Sequence, residues 1–268
     1  MPELPELEVI REFLQENIVG IRISELEIRE PLVLRCSAPG LVQDLMGKAF
    51  TEIRRRGKFL VFDVAEDAHL VFHLMLAGRF QYCGTGEKPG PGLCLRLGFS
   101  SGHDLRYHDR KRMGRIYWVR QSEYSSIPQF SQQGPEAVDP TMDVESFRKR
   151  IRRHPGMIKN ILTNQRFLAG IGNAYADEIL FAAGILPFRK RATLSSAELV
   201  RLFEAMKTVL FWAKQELRER MGANIHHEDR GFLKIHGKGG QTCPVCGGLI
   251  SEVKANRRRT NFCRGCQH

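Results

Sequence analysis

The chain has 268 residues, an apolar share of 42%, and 41 lysine and arginine residues against 30 aspartate and glutamate residues, for a formal net charge of +11. This length suits one large domain or two to three smaller ones, and the positive excess predicts a polyanionic partner, for which nucleic acid is the usual candidate. Because no apolar run is long enough for a bilayer and no basic-then-apolar leader opens the chain, we expect a cytoplasmic protein without membrane contact.

The chain begins Met1-Pro2-Glu3-Leu4-Pro5-Glu6. Removal of Met1 would expose the secondary amine of Pro2, and a terminal amine with a pKa of about 7.7–8.0 is partly neutral at pH 7. Such an amine can form a Schiff base with a sugar aldehyde, while Glu3 and Glu6 could move protons. The same residues also fit an ordinary helix start, with Pro5 and Glu6 in the first turn. The pattern alone leaves both interpretations open.

The first half of the chain has the pattern of a helix followed by many short strands. Apolar residues recur at helical spacing over residues 6–17 and predict a helix there. Residues 21–119 hold short apolar runs separated by turn-rich breaks, which is typical of an antiparallel sandwich or barrel. Residues 121–142, rich in Ser, Gln and Pro, are predicted to be a linker.

Helical patterns dominate the part of the chain that follows. Predicted helices cover residues 146–153, 157–167, 174–183 and 195–220. Ser195 and Glu198 have the spacing of a capping box at the start of the last of these helices. Residues 170–175, Gly-Ile-Gly-Asn-Ala-Tyr, lie between two helices, where free backbone N–H groups and Asn173 could receive a phosphate. A plain helix–turn–helix in a core explains the same glycines, so this motif alone decides nothing.

Four cysteines at the C-terminus form two Cys-x-x-Cys pairs sixteen residues apart: Cys243, Cys246, Cys263 and Cys266. This spacing predicts one structural zinc ion, because four thiolates leave no open position on the metal and the short tail has too little core to fold alone. Redox-active pairs are the alternative. Residues 256–260, Asn-Arg-Arg-Arg-Thr, lie between the pairs and are predicted to form the tip of a hairpin that contacts phosphate.

These motifs, in this order, resemble the formamidopyrimidine-DNA glycosylase/endonuclease VIII family of bifunctional base-excision repair enzymes. Residues 56–60, 105–109 and 180–185 fit the family as well, and the resemblance runs from end to end. It implies an α+β multidomain chain: an N-terminal helix plus antiparallel β-sandwich over 1–133, a helix–two-turns–helix domain over 134–222, and a C-terminal zinc-ribbon finger over 223–268. DNA would bind in the cleft between the lobes.

The resemblance implies a DNA glycosylase and AP lyase that removes oxidised bases. Pro2 matches the nucleophile that attacks C1′ of the damaged nucleotide, and Glu3 the proton donor that acts on the deoxyribose. Glu6 matches a second carboxylate in the lesion pocket, and Lys58 a hairpin lysine that contacts DNA near the reaction centre. β,δ-Elimination would then cleave the strand. We expect a monomer that acts on damaged DNA, double-stranded or single-stranded, at the bacterial nucleoid.

Further DNA contacts follow from the same resemblance. Asn173 matches the helix-junction asparagine that holds backbone phosphates, and Lys159 and Arg112 match further DNA-binding positions. Arg258 matches the zinc-finger arginine that assists elimination, with Arg259 as a one-residue alternative. A non-catalytic protein that binds damaged or distorted DNA on the same scaffold is the competing hypothesis, although it gives the N-terminal proline no role.

The positions that would fill the gap left by an extruded base depart from the 8-oxoguanine-processing branch. That branch has methionine, arginine and phenylalanine where this chain has Leu76, Lys111 and Met113. Leucine and methionine can still wedge a base step, whereas lysine lacks the planar fork of arginine. Leu4 favours the formamidopyrimidine branch, but the short connection at 223–232 and the altered wedge favour endonuclease VIII. The preferred lesion therefore stays open.

Overall fold

The computed structural model describes residues 1–64, 67–255 and 258–268. The chain divides into two compact units. The first comprises Met1–Ser131 with Leu217–Asp229, and the second Gln132–Glu216 with Arg230–His268. Among the described residues, no helix combines the length and the apolar content that a membrane span requires.

The first unit begins with helix α1, Leu4–Ile18, close to the prediction. Pro5 lies in its first turn, a position that needs no backbone N–H. The apolar face of the helix is buried, with Leu7, Ile10 and Leu14 at most 2% exposed. Gln15 Oε1 accepts a hydrogen bond of 2.7 Å from the Ile53 amide. The helix is thereby attached to the edge of a β-sheet.

Two four-stranded antiparallel sheets follow in the described part of this unit. The first has the order β2-β3-β4-β8, formed by Phe50–Arg56, Phe59–Val64, Ala68–His73 and Arg115–Arg120. The second has the order β1-β6-β7-β5, formed by Ile23–Ile28, Leu93–Phe99, His103–His108 and Arg79–Gly84. A helix that the sequence did not predict, α2, covers Ala38–Leu45. Short 3₁₀ helices cover Pro31–Val33 and Gln121–Ser126.

The two sheets pack face to face through aromatic side chains. Phe62 of β3 contacts Phe80 of β5 with ring centroids 5.8 Å apart, and Phe72 of β4 contacts Tyr107 of β7 at 5.7 Å. Side chains alternate along a strand, so β3 also has apolar side chains on its other face. Residues 127 and 130 pack against that face and bury it. The predicted N-terminal helix on an antiparallel sandwich is confirmed.

The second unit is helical and ends in a β-hairpin. Its helices are α3 (Val144–Ile151), α4 (Ile158–Leu162), α5 (Asn173–Ala182) and most of α6 (Ser196–Met221), with a 3₁₀ turn at Arg191–Thr193. The hairpin pairs β9, Ile250–Ala255, with β10, Arg258–Cys263. Helix α4 is shorter than predicted. The predicted capping box is confirmed, because the Ser195 amide donates to Glu198 Oε2 at 2.7 Å and the Glu198 amide to Ser195 Oγ at 3.2 Å.

Candidate active site and nucleic-acid interface

The start of α1 brings the predicted N-terminal site residues together. Pro2 is buried, and Glu3 and Glu6 are 3% and 4% exposed. The Glu3 amide donates a hydrogen bond of 3.0 Å to Glu6 Oε2, and the Leu7 amide donates to the Glu3 carbonyl at 3.0 Å. Burying carboxylates costs free energy that ordinary helix starts on a surface do not incur. Glu3 and Glu6 form the capping box of α1. The helix-start interpretation is therefore supported, and the structure also leaves two buried carboxylates beside Pro2.

Lys58 lies at the tip of the hairpin between β2 and β3, and it is 8% exposed. In the register of the sheet, its neighbour Phe59 pairs with His73, and the two rings are 4.4 Å apart. Burial, together with the positive charges of Lys58 and Arg115, lowers the pKa of His73 to about 4. A neutral imidazole therefore lies near the predicted catalytic lysine. The sequence analysis missed His73, although a histidine that ends an apolar strand is a signal.

The turns that carry Leu76 and Met113 share one support, Tyr107. A methyl group added at Gly114 would lie 1.7 Å from the Tyr107 hydroxyl oxygen, and one added at Gly78 would lie 2.4 Å from the same atom. Only glycine allows both turns to approach the phenol this closely. Leu76 is 49% exposed and Met113 39%. Two apolar side chains are thus presented from adjacent turns, as base-step wedges require.

Asp109 organises the second of these turns. Its Oδ1 accepts from the Lys111 amide at 3.0 Å, and its Oδ2 accepts from the Gly114 amide at 2.7 Å. Lys111 itself is exposed. The Arg112 side chain is 61% exposed, and its Nε lies 2.6 Å from Glu30 Oε2. Sequence analysis had noted Asp109 only as part of a motif, but a buried aspartate at the start of a turn commonly has this role.

In the second unit, three predicted DNA-binding residues line one cleft of about 630 Å³. They are Lys159, Asn173 and Arg258. Because neighbouring residues of a strand point to opposite faces, Arg258 and Arg259 cannot both face this cleft. The backbone carbonyl of Arg259 accepts hydrogen bonds from Lys159 and Asn173. Asn256 and Arg257, at the tip of the predicted arginine hairpin, lie outside the described residues.

Lys159 is 6% exposed. Its ammonium group has several partners inside this unit. It lies 2.6 Å from Asp177 Oδ1, 2.8 Å from Thr260 Oγ1 and 3.0 Å from the Arg259 carbonyl. The same carbonyl accepts a hydrogen bond of 2.7 Å from Asn173 Nδ2. Lys159 and Asn173 therefore hold β10 in position, and their predicted contacts with DNA phosphates stay predictions.

Two acidic residues of α5, which the sequence analysis did not single out, complete this attachment. Asp177 Oδ2 accepts from the Asn261 amide at 3.1 Å and lies 2.8 Å from His236 Nδ1. Glu178 accepts three backbone hydrogen bonds of 2.8–3.0 Å, from residues 234, 235 and 236. Both are at most 2% exposed. Their signal in the sequence was an acidic pair that follows the Gly-x-Gly-Asn motif after three further residues.

The four C-terminal cysteines can hold a metal ion. Their Sγ atoms all lie within 4.8 Å of one another, with 3.7 Å between Cys243 and Cys266 and 3.4 Å between Cys246 and Cys263. A tetrahedron with metal–sulfur distances of about 2.3 Å has edges of roughly 3.8 Å. The donor set thus favours a thiolate-bound metal.

Sequence comparison agrees with this geometry. The model of the formamidopyrimidine-DNA glycosylase N-terminal domain matches residues 1–116, and that of the H2TH domain of the same enzymes matches residues 133–219. The chain belongs to the formamidopyrimidine-DNA glycosylase family. Relatives named formamidopyrimidine-DNA glycosylase include one from Pelotomaculum thermopropionicum, 32% identical over 100% of this chain and 99% of the relative, and one from Listeria innocua, 32% identical over 100% of both.

Solved structures of formamidopyrimidine-DNA glycosylases share the fold. A Lactococcus lactis enzyme in complex with DNA containing an abasic site has a TM-score of 0.90 and 28% identity, with 99% of each chain covered. The enzyme from the same organism in complex with Fapy-dG-containing DNA has a TM-score of 0.87 and 29% identity, again over 99% of each chain. The predicted family and fold class are confirmed.

Proposed function

We propose that this chain is a base-excision repair DNA glycosylase and AP lyase that removes oxidised bases with Pro2 as its nucleophile. The observation that supports this proposal most directly is that Glu3 and Glu6 are buried at the start of α1, next to Pro2. Membership of the formamidopyrimidine-DNA glycosylase family supports the same activity. The relatives' complexes with abasic-site DNA support damaged DNA as the substrate.

The reaction follows from the chemistry of a secondary amine. After Met1 is removed, the Pro2 nitrogen bonds to C1′ of the extruded nucleotide, and the N-glycosidic bond breaks. The base departs with the electron pair of that bond and takes up a proton, while the Pro2 nitrogen, now bonded to C1′, releases its own N–H proton. A proton from Glu3 to the deoxyribose opens the sugar, which leaves an iminium on Pro2. The iminium acidifies C2′, so that loss of a C2′ proton expels the 3′ phosphate and a second elimination expels the 5′ phosphate.

The remaining site residues hold the DNA. We assign Lys58, at the tip of the β2–β3 hairpin, to the DNA strand at the reaction centre. Leu76 and Met113 are assigned to the gap left by the extruded nucleotide, and Lys111 and Arg112 to the flanking backbone. Asn173 and Lys159 are assigned to phosphates along the cleft of the second unit, and Arg258, which lines the same cleft, to assisting elimination.

We further assign one structural zinc ion to Cys243, Cys246, Cys263 and Cys266, because the sulfur positions fit a closed tetrahedral site. Bound zinc would hold the base of the β9–β10 hairpin and so fix Arg258. We also propose that the enzyme acts as a monomer on the chromosomal DNA of a bacterium.

Borohydride trapping on abasic-site DNA tests the nucleophile. The wild type, with Met1 removal verified by intact mass, should form a covalent adduct and cleave the strand. Pro2→Gly should lose both while it retains most of its DNA affinity, since phosphate contacts supply that affinity. Pro5→Ala is the matched control, because it alters the same helix turn but keeps the terminal proline. Unchanged cleavage by Pro2→Gly would reject Pro2 as the nucleophile and favour a different chemistry.

A further inference from the structure

Two exposed apolar side chains line the cleft of the second unit beside its polar and cationic residues. Met157 is 44% exposed and Phe188 40%, although both are large and apolar. Apolar residues that are exposed singly are common on protein surfaces and need no explanation. Here two of them lie in one cleft with Asn173 and Arg258. None of the roles assigned above uses this apolar surface.

Backbone pairing holds the apolar part of the cleft together. The Ile158 amide, at the start of α4, donates to the Arg189 carbonyl at 2.9 Å. Met157 forms an isolated antiparallel bridge with Lys190. The beginning of α4 and the segment after α5 are therefore joined, and Met157 and Phe188 are presented from these two joined segments.

The Phe188 ring is supported by the β9–β10 hairpin. It contacts the Phe262 ring edge to face, with centroids 5.3 Å apart and ring planes at 90°, and Phe262 is itself only 4% exposed. Because side chains alternate along a strand, Arg258, Thr260 and Phe262 share one face of β10. The exposed surface of Phe188 therefore lies on the same side of the hairpin as Arg258.

An exposed aromatic ring beside a positive charge is an arrangement that binds unpaired nucleotides. Every base has a π face that can stack on an aromatic side chain, while a positively charged groove attracts the backbone phosphates. Paired bases of a duplex are already stacked on their neighbours, and they offer a protein only their edges and the backbone. The cleft therefore has the chemistry of a site for a nucleotide outside the duplex.

Resting on the proposed function, we propose that this cleft binds one unpaired base of the damaged DNA, stacked on Phe188. The base is not the damaged one, which Pro2 binds. Because Arg258 is assigned to elimination, the phosphates in this cleft are those next to the lesion, and the stacked base belongs to a neighbouring nucleotide. Met157, with its flexible and polarisable thioether, packs against the same base. The substrates therefore include lesions beside a gap, a bubble or a strand end.

Binding to DNA without a lesion tests the subsite in the absence of cleavage. The probes are a fluorescein-labelled single strand of mixed sequence and the same strand annealed to its complement. Phe188→Ala should weaken binding to the single strand at least about fivefold, the usual effect of losing one stacked base. Binding to the duplex should weaken less than about twofold, because its contacts are with phosphates. The single-strand loss should be independent of salt, since stacking releases no counterions.

Three further variants separate stacking from other roles. Phe188→Leu keeps an apolar contact for Phe262 but has no ring, so it should lose single-strand affinity as Phe188→Ala does. Phe188→Trp should keep this affinity, and the single strand should quench its added fluorescence, measured against the wild type with its two tryptophans. Phe211→Ala is the matched control and should bind both probes like the wild type, because Phe211 is 65% exposed on α6, outside the residues that line this cleft.

Equal losses on the two probes would reassign Phe188 to the fold or to backbone contacts and overturn the proposal. Unchanged single-strand affinity in Phe188→Ala or Phe188→Leu would overturn it as well, and so would an unquenched Phe188→Trp. Failure of the wild type to form a borohydride adduct would instead reject the proposed function. The binding measurements do not depend on that adduct, so the two failures are distinguishable.

Discussion

His73 shows how one partly buried side chain makes the first unit sensitive to acid. Its pKa is lowered from 6.5 to about 4, first by burial and then by the charges of Lys58 and Arg115. In the unfolded chain the imidazole binds a proton as the pH falls through 6.5, whereas the folded protein resists protonation until about pH 4. Folding stability is therefore fully present above pH 6.5 and is lost between these two values, by about 3 kcal/mol in all.

Urea unfolding at pH 7 and pH 4.5 measures this contribution. His73→Asn removes the titrating group, so its free energy of unfolding should fall less between the two pH values than that of the wild type, by about 2 kcal/mol. His103→Asn serves as the control, because His103 is exposed and should leave the wild-type pH dependence intact. Identical losses in wild type and His73→Asn would mean that carboxylates alone cause the acid sensitivity.

Two single-residue variants distinguish Arg258 from Arg259 as the arginine that assists elimination. Arg258 lines the cleft with Asn173, while the Arg259 carbonyl accepts from Lys159 and Asn173. We expect Arg258→Ala to slow strand cleavage at least about tenfold, in line with the loss of one charge-assisted contact. Arg259→Ala keeps its backbone carbonyl and should slow it much less. Single-turnover cleavage and binding, measured side by side, check this. Equal loss of cleavage and affinity in Arg258→Ala would reduce its role to phosphate binding.

At the scale of elements, the start of α6 depends on its capping box. Ser195 Oγ accepts from the Glu198 amide, and Glu198 accepts from the Ser195 amide and pairs with Arg189. Ser195→Ala should lower the free energy of unfolding by about 1 kcal/mol. Thr208→Ala, at an exposed position within the same helix, should be neutral or slightly stabilising, because alanine has the higher helix propensity. Chemical denaturation of both variants tests the difference, and equal effects would contradict it.

The helices show which elements a sequence can predict. Helix α1 and the capped α6 were predictable because their periodic apolar faces and end signals agree. Helix α2 was missed because Pro39 and Gly40 resemble a turn, yet proline is tolerated in a first turn and Ser37 caps the helix. Helix α4 ends at Leu162, since Asn164 Oδ1 accepts from the Arg166 amide and so favours a turn over continued helix.

The candidate site likewise contains residues that the sequence could predict and residues that it could not. Chemical roles could be assigned from motifs because Pro2, Glu3 and the four cysteines have few alternative uses at their spacing. The supporting residues could not, because their function lies in contacts across the sequence. Asp177 contacts Lys159 and His236, and Glu178 accepts hydrogen bonds from the backbone of residues 234, 235 and 236. No local pattern specifies such pairs, since tertiary packing alone brings them together.

At the scale of the whole molecule, metal binding and folding of the C-terminal tail should be one event. Cys243 and Cys263 belong to the same buried cluster as Phe181, Ile235 and Ile250. Cys243→Ser should reduce bound zinc from one per chain to nearly none, because structural sites couple metal affinity to folding. Elemental analysis and limited proteolysis of residues 230–268 check this. Cys36→Ser, outside the cluster, should keep its zinc, and a fully active, zinc-free Cys243→Ser would refute a structural metal.

The net charge of +11 makes a prediction for binding as a whole. If about five lysine and arginine side chains neutralise phosphates, a plot of log Kobs against log salt should have a slope of about −4 to −5, because each contact releases counterions. Arg258→Ala should make that slope shallower by roughly one. Arg29→Ala should leave it unchanged, since Arg29 pairs with Glu27 at 2.7 Å. Fluorescence anisotropy titrations at several salt concentrations measure these slopes. A flat wild-type response would exclude phosphate contacts as the source of affinity and leave the basic excess of this chain without its proposed role.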